Sequence, residues 1–218
     1  MFGGTLPQLS KIDELTLGDH SYLGADDACY YFGEYTAREG FSAGPTNQFI
    51  YNFKKPVSRR GLGDWRYKER AIAQAADAFS KRLDPGFLRS ATLVPMPPSK
   101  TRDDPAYDDL ILQMLRGIVA PRVVDVRELI VQTGVRAAAH EGNRPSPAGL
   151  EAVYGVDEAC CDPAPSAIGL FDDLLVTGAS FKAGKTILQR RFPGVTVYGV
   201  FLARRAVPNP FADFAADE

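Results

Sequence analysis

Residues 168–180 constrain the fold of this chain more than any other stretch of its sequence. An apolar run of strand-forming residues leads directly into Asp172 and Asp173, and a few residues later into the small-residue turn 177–180. The apolar spacing that follows is typical of a helix over about 180–190. A buried strand, a short turn and a helix in this order are typical of a parallel sheet covered by helices.

The rest of the chain indicates the same α/β architecture. Apolar residues at three-and-four spacing predict a helix over 66–83, and a second helix is predicted to begin with Asp104 as N-cap and Pro105 in its first turn. Short apolar runs predict further strands at residues 91–94, 123–126, 152–156 and 195–202. Because strands and helices alternate, we expect a mainly parallel central sheet with helices on both faces.

A length of 218 residues fits one compact domain with an elaborated end. Residues 1–65 are rich in glycine, aromatic residues and short alternating runs, typical of strands or short helices, and are predicted to form an N-terminal elaboration or hood packed on the core. Residues 66–205 are the predicted core. Residues 206–218 are predicted to be a loose C-terminal tail.

Composition restricts the partners and the compartment. A formal net charge of -2 with mixed charges gives no global reason to expect nucleic acid or an anionic membrane as partner. Cys29, Cys160 and Cys161 cannot all pair within one chain, and no zinc spacing of the paired Cys-x-x-Cys kind is present. No apolar run approaches the roughly 20 residues that span a bilayer, and no leader peptide is evident. We therefore expect a cytoplasmic protein.

The segment 168–180 also predicts a binding site. Ligands of parallel sheets bind at the carboxyl ends of strands, where a helix N-terminus offers N–H groups and positive potential to a phosphate. A sugar phosphate matches the order of residues, since its hydroxyls donate to carboxylates and its phosphate accepts from amides. The alternative is that Asp172 and Asp173 merely end a strand and that Thr177 and Gly178 form an ordinary turn.

The segment resembles the 5-phosphoribosyl 1-pyrophosphate motif of type I phosphoribosyltransferases, an apolar strand, two acids and Thr-Gly-x-Thr/Ser. Residues 49–205 are more widely similar to the ComF-like branch, which in bacteria is associated with competence and DNA uptake. The similarity rests on 50–55, on the Pro-Met-Pro-Pro loop at 95–98, and on 131–135 with Asn143 further on.

This resemblance implies a type I phosphoribosyltransferase-like fold that binds 5-phosphoribosyl 1-pyrophosphate with Mg²⁺. It implies transfer of the phosphoribosyl group to an unidentified nitrogen acceptor, with release of pyrophosphate and with magnesium held through the ligand. It assigns the ribose hydroxyls to Asp172 and Asp173, and the 5-phosphate to Thr177, Gly178, Ala179 and Ser180. It assigns the pyrophosphate to Met96, Pro97, Pro98, Ser99, Lys100 and Arg102, although such a loop can also be only a rigid connector.

Residues 134–147 form a long polar segment that is predicted to be a flexible loop over the reacting atoms. Its candidate residues are Arg136, His140, Asn143 and Arg144. His140 stands where the ComF-like pattern usually has arginine, and we interpret it as a solvated loop residue rather than a base, because nothing supplies it an orienting partner.

Two other hypotheses use the same residues. Residues 179–186 satisfy a relaxed phosphate-loop pattern that ends in Lys185 and Thr186, although only about one further strand can follow it. Alternatively, the domain senses phosphoribosyl pyrophosphate without catalysis. An aromatic residue of the first 65, such as Tyr30, Tyr31, Phe32 or Tyr51, could stack a nucleobase, although each is more typical of a core. The sequence leaves the acceptor and the oligomeric state open.

Overall fold

The computed structural model describes residues 8–120, 123–134 and 145–207. In these ranges a six-stranded sheet has the order β1-β2-β8-β7-β3-β4, and a separate hairpin is formed by β5 and β6. The strands are β1 Ser10–Lys11, β2 Cys29–Thr36, β3 Thr92–Pro95, β4 Asp125–Val126, β5 Ile130–Gln132, β6 Tyr154–Val156, β7 Ala167–Leu175 and β8 Thr196–Ala206. All neighbours in the main sheet are parallel except the antiparallel pair β1 and β2. The predicted α/β class with a mainly parallel sheet is confirmed.

The helices lie between the strands along the chain. They are α1 Glu14–Leu17, α2 Pro45–Phe53, α3 Arg66–Arg82, α4 Pro85–Ser90, α5 Leu110–Arg116, α6 Pro147–Glu151 and α7 Ala179–Arg191. Short 3₁₀ turns are found at Gly40–Ala43, Val57–Arg59 and Glu158–Cys160. Within the described residues, no helix combines the length and the apolar character that a membrane span requires.

The two faces of the sheet bury different helices because side chains alternate along a strand. On β7, Ile168 and Leu170 belong to the core that includes Phe181 of α7. Phe171 points to the opposite core, where its ring packs edge-on against Phe79 of α3 with 5.2 Å between the ring centroids. Burying a side chain of this size contributes about 1.5–3 kcal/mol to stability. Helices therefore cover both faces, as the sequence predicts.

The chain winds away from β3 and β7 in opposite directions, although these strands are neighbours in the sheet. From β3 it passes through α5 to β4, and from β7 it passes through α7 to β8. In parallel sheets such a reversal leaves a crevice outside the carboxyl ends of the two strands, where ligands bind. This crevice is the position of the candidate site.

The N-terminal region contributes to the central sheet as well as to its surroundings. Strand β2 lies parallel to β8, with Cys29 paired to Gly199. After β2, the buried Asn47 side chain accepts from Thr36 N at 3.0 Å and donates to Thr36 O at 2.8 Å. These bonds hold α2 over the carboxyl end of β2.

Three predicted elements have wrong boundaries. The helix predicted to begin at Asp104 begins at Leu110, because Asp104 Oδ1 accepts from Ala106 N at 2.7 Å and closes only a single turn. The predicted strand at 123–126 is limited to Asp125–Val126, since Val123 is 99% exposed. The predicted strand at 152–156 is also shorter, and it pairs with β5 instead of joining the main sheet.

Candidate ligand-binding site

A cleft of about 1190 Å³ lies outside the carboxyl ends of β3 and β7. Its lining combines side chains from both strand ends with Gln132 of the hairpin and Lys54 at the end of α2. The predicted site residues that line it are Met96, Pro97, Pro98, Ser99, Lys100, Arg102, Asp172, Asp173 and Ser180. The fold thus brings the predicted acids and the predicted pyrophosphate loop into one space.

The two acids lie within β7, which continues to Leu175, rather than after the strand. Asp172 Oδ1 accepts from the Asp173 backbone N–H at 2.8 Å. Asp173 Oδ1 accepts from Lys54 Nζ at 2.9 Å, and the Asp173 side chain is only 13% exposed. The negative charge of Asp173 is therefore balanced by the ammonium group of Lys54.

Lys54 is a site residue that sequence reasoning misses. Consecutive lysines at the end of a short helix are typical of a solvated surface, and only the fold brings Lys54 to the end of β7. Partial burial alone would lower the pKa of Lys54, but the Asp173 carboxylate outweighs this effect and raises the pKa above its ordinary value. Lys54 is thus a stable positive charge in the cleft.

The turn before α7 has the geometry of an anion-binding helix start. Gly178 is the N-cap residue, with φ of 83°, a left-handed conformation that favours glycine. Because Gly178 has no side chain, it cannot cap the first N–H groups of α7, which lack intrahelical acceptors. Thr177 Oγ1 accepts only a long hydrogen bond from Ala179 N, at 3.4 Å. These amides therefore remain suited to an oxyanion.

Asp172 and the start of α7 share a smaller cavity of about 150 Å³. It is lined by Asp172 together with Thr177, Gly178, Ala179 and Ser180. Asp172 and Ser180 also line the large cleft, so the two spaces adjoin. A carboxylate and a helix N-terminus thus line the same space.

Residues 20–23 support the turn from behind. Tyr22 N donates to Thr177 O at 2.9 Å, and buried His20 bonds Val176 O through Nδ1 at 2.6 Å. Since a carbonyl only accepts, Nδ1 carries the proton, and burial lowers the pKa of His20. A β-carbon on Gly178 would lie 2.7 Å from Leu23 Cδ2. The turn is therefore packed closely on its outer side.

Helix α7 is fixed by a buried carboxylate. The fully buried Asp27 side chain accepts from Lys182 Nζ at 2.8 Å and from Lys185 Nζ at 2.6 Å. Burial alone would raise the pKa of Asp27. The hydrogen bonds from the two lysines lower that pKa by more than burial raises it, so the net shift is downward. Lys185 lies well inside α7 and is bound to Asp27 rather than to the cleft. The phosphate-loop hypothesis needs this lysine beside the helix N-terminus, so the geometry argues against it.

The predicted pyrophosphate loop is held at both ends. Met96 N donates to Phe171 O at 2.8 Å, and Gln132 Nε2 donates to Ser99 O at 3.2 Å. Lys100 is 3.6 Å from Asp104, and Arg102 is 2.8 Å from Glu128.

The two basic side chains of this loop remain solvent-accessible, with 53% of Lys100 and 70% of Arg102 exposed. They can therefore turn towards an anion in the cleft.

The predicted flexible-loop residues Arg136, His140, Asn143 and Arg144 lie outside the described residues. Among the residues that are described, no group of three or more His, Cys, Asp or Glu side chains is arranged to hold a metal ion.

The chain is thus an α/β domain with a mainly parallel sheet and a cleft at the reversal of that sheet. No protein-family model matches the sequence, and no curated protein is significantly similar to it.

Proposed function

We propose that this protein binds 5-phosphoribosyl 1-pyrophosphate with Mg²⁺ and transfers the phosphoribosyl group to a nitrogen acceptor. One observation carries the proposal: Asp172 shares a cavity with the N-terminus of α7, and that cavity adjoins a cleft lined by the basic loop 96–102. These are the three chemical environments that the ribose, the 5-phosphate and the pyrophosphate require.

Each part of the ligand finds a matching group. The ribose hydroxyls donate to Asp172 and Asp173, as carboxylates are strong acceptors. The 5-phosphate accepts from the amides of residues 178–180 and from Ser180 Oγ, in the positive field of the α7 N-terminus. Gly178 permits the close approach of backbone to phosphate that this arrangement needs.

The pyrophosphate is assigned to residues 96–102, where Lys100 and Arg102 supply positive charge. Magnesium in proteins commonly binds one or two carboxylates together with substrate phosphate oxygens, and the acids of the cleft fit that donor set. When bound with the ligand, magnesium would neutralise charge on the departing pyrophosphate. The type I phosphoribosyltransferase fold and the ComF-like relationship are part of this proposal.

The chemistry is a displacement at the anomeric carbon. A lone pair on the acceptor nitrogen forms the new C–N bond, the C–O bond to pyrophosphate breaks, and pyrophosphate leaves with that electron pair. The acceptor nitrogen loses its proton to solvent. The protein contributes position and charge, because the acids near the ribose favour the positive charge that develops there, while Lys100 and Arg102 stabilise the leaving group.

Calorimetry with phosphoribosyl pyrophosphate, with and without magnesium, tests the proposal. We expect magnesium-dependent binding that the double substitution Asp172→Asn with Asp173→Asn abolishes, since the acceptors lose their charge. Asp77→Asn is a matched control because Asp77 lies on the exposed surface of α3. Unchanged binding in the double variant contradicts the proposal.

A second assay distinguishes the sensing hypothesis from catalysis. Release of pyrophosphate is measured with candidate nitrogen bases once binding is established. Release that depends on both a base and Asp173 supports transfer. Tight binding with no release across nitrogen acceptors supports a sensing domain instead.

A further inference from the structure

Another cavity, of about 530 Å³, lies beside the cleft, over the carboxyl end of β2. Lys54 and Pro56 line both spaces, so the cavity adjoins the cleft at the Lys54–Asp173 ion pair. Its other lining residues are Tyr35, Gly40, Asn47, Ile50, Tyr51, Lys55, Arg59 and Asp64. The volume is in the usual range for small-molecule pockets. We call this space the α2 cavity.

The lining of the α2 cavity is positively charged. It has three cationic side chains, Lys54, Lys55 and Arg59, and one carboxylate, Asp64. Both Lys55 Nζ and Arg59 Nη2 contact the same Asp64 Oδ2, at 3.1 and 3.0 Å. One carboxylate is therefore shared by two cations, which leaves the cavity with a net attraction for an anion.

An exposed aromatic ring lines the same space. Tyr51 is 58% exposed, although it is large and apolar over most of its surface. Its ring packs edge-on with Phe41, 5.5 Å between centroids, and the Lys55 ammonium lies 5.2 Å from the Tyr51 centroid. These contacts hold the tyrosine ring in place, and a held ring is a surface on which a planar ligand can stack.

We propose that the α2 cavity is the acceptor site and that it binds a small planar aromatic compound carrying a carboxylate. The anionic group would be held by Arg59 and Lys55, and the ring would stack on Tyr51. The role as acceptor site rests on the proposed function, because it needs phosphoribosyl pyrophosphate in the adjoining cleft. Binding of the anionic ring in the α2 cavity does not depend on the proposed function.

Single-stranded nucleic acid also combines anionic charge with stacking bases. A small molecule fits the observations better, because the α2 cavity is bounded by α2 and the 3₁₀ turn Val57–Arg59, whereas nucleic acid needs a basic groove that follows its backbone. The net charge of the chain, -2, also gives no long-range attraction for nucleic acid.

The test uses 2-aminobenzoate, a fluorescent planar carboxylate that carries a nitrogen nucleophile. Its uncharged analogue 2-aminobenzamide is the matched probe. We expect the carboxylate to bind more tightly than the amide. Arg59→Gln should weaken binding of 2-aminobenzoate by about tenfold and leave the amide unaffected, because a charge-assisted hydrogen bond is lost. Tyr51→Ala should weaken both probes by about fivefold through lost stacking.

Arg82→Gln is the control variant, since Arg82 is an exposed arginine at the end of α3 and lines neither cavity. Titrations are repeated with phosphoribosyl pyrophosphate and magnesium present, and calorimetry checks that Arg59→Gln and Tyr51→Ala still bind phosphoribosyl pyrophosphate. Equal affinity for the two probes, or equal loss in Arg82→Gln, overturns the inference. Binding of a single-stranded oligonucleotide but not of 2-aminobenzoate, lost in Tyr51→Ala, also overturns it.

The two proposals fail in different ways. If 2-aminobenzoate binds with the expected dependence on Arg59 and Tyr51 while phosphoribosyl pyrophosphate does not bind, the α2 cavity stands as an anionic-ring site and the proposed function fails. If phosphoribosyl pyrophosphate binds and 2-aminobenzoate does not bind in its presence or absence, the proposed function stands and the inference fails.

Discussion

Lys54 at the end of α2 donates to Asp173 near the end of β7, with 2.9 Å between Nζ and Oδ1. Lys54 lines both the cleft and the α2 cavity, whereas Asp173 lines only the cleft. A single cation therefore stands between the two spaces and is bonded to one of the acids proposed to bind ribose. Both proposals therefore depend on the charges of Lys54 and Asp173.

Replacing Lys54 by methionine keeps the length of the side chain and removes its charge. We expect Kd for phosphoribosyl pyrophosphate to rise by about tenfold, because the cleft would lose the positive charge of Lys54 beside a polyanionic ligand. Stability should fall by less than about 1 kcal/mol, since the Lys54 side chain is 49% exposed. Calorimetry and thermal unfolding measure the two effects.

Lys81→Met is the control for this substitution, because Lys81 forms an exposed ion pair with Asp77 on α3. It should change neither ligand binding nor stability appreciably. Unaltered binding in Lys54→Met would contradict a role for Lys54 in the ligand site.

Gly178→Ala tests the turn before α7. The alanine would have to adopt a left-handed φ of 83°, and its β-carbon would lie 2.7 Å from Leu23. We therefore expect the free energy of unfolding to fall by about 2–4 kcal/mol and phosphate binding to weaken. Gly194→Ala is the matched comparison, since Gly194 has φ of 81° but nothing within 4 Å of the new β-carbon. It should cost only about 1–2 kcal/mol. Equal losses from denaturant unfolding would show that the Leu23 contact is unimportant.

Asp27→Asn tests the buried carboxylate under α7. At neutral pH we expect a loss of about 2–4 kcal/mol, because Lys182 and Lys185 lose their partner. The pKa of Asp27 is lowered in the folded state, so its contribution is present above the unfolded-state value of 3.8 and is lost as the pH falls through the lower folded-state value. Urea unfolding of both proteins should therefore give curves that converge below pH 3.8. A difference that does not depend on pH would contradict the ion-pair explanation.

Lys185→Met separates the phosphoribosyl hypothesis from the phosphate-loop hypothesis. We expect reduced stability, as one of the two lysines on Asp27 is lost, with Kd for phosphoribosyl pyrophosphate unchanged. The measurement is a nucleotide-binding screen beside the calorimetry. Tight ATP binding that disappears in Lys185→Met and persists in Asp173→Asn would favour the phosphate loop.

The sequence predicts best those strands and helices that are specified by the pattern of their own residues. Strand β7 is apolar at 168–171 because both of its faces are buried, and α7 follows from small residues and regular spacing. The common position of the β7 acids and the loop 96–102 at one cleft was predictable, because carboxyl ends of parallel strands meet at one edge of the sheet.

Other features depend on partners far away in the chain. Strand β2 contains Gly33 and Glu34 among aromatic residues, and only its pairing with β8 makes it part of the sheet. Asp104 has the residue type of an N-cap, yet it closes a turn six residues before α5 begins. The α2 cavity carries no motif, because Tyr51 and Arg59 come together only when α2 packs over the end of β2.

The parallel pairing of β2 with β8 also affects biosynthesis. Strand β2 leaves the ribosome before its long partner β8, which follows every other described strand along the chain. Until then β2 exposes an unpaired edge rich in aromatic residues, which favours association with other chains. We therefore expect chains interrupted before residue 196 to aggregate and to need chaperones, and chains that include β8 to fold slowly for their size.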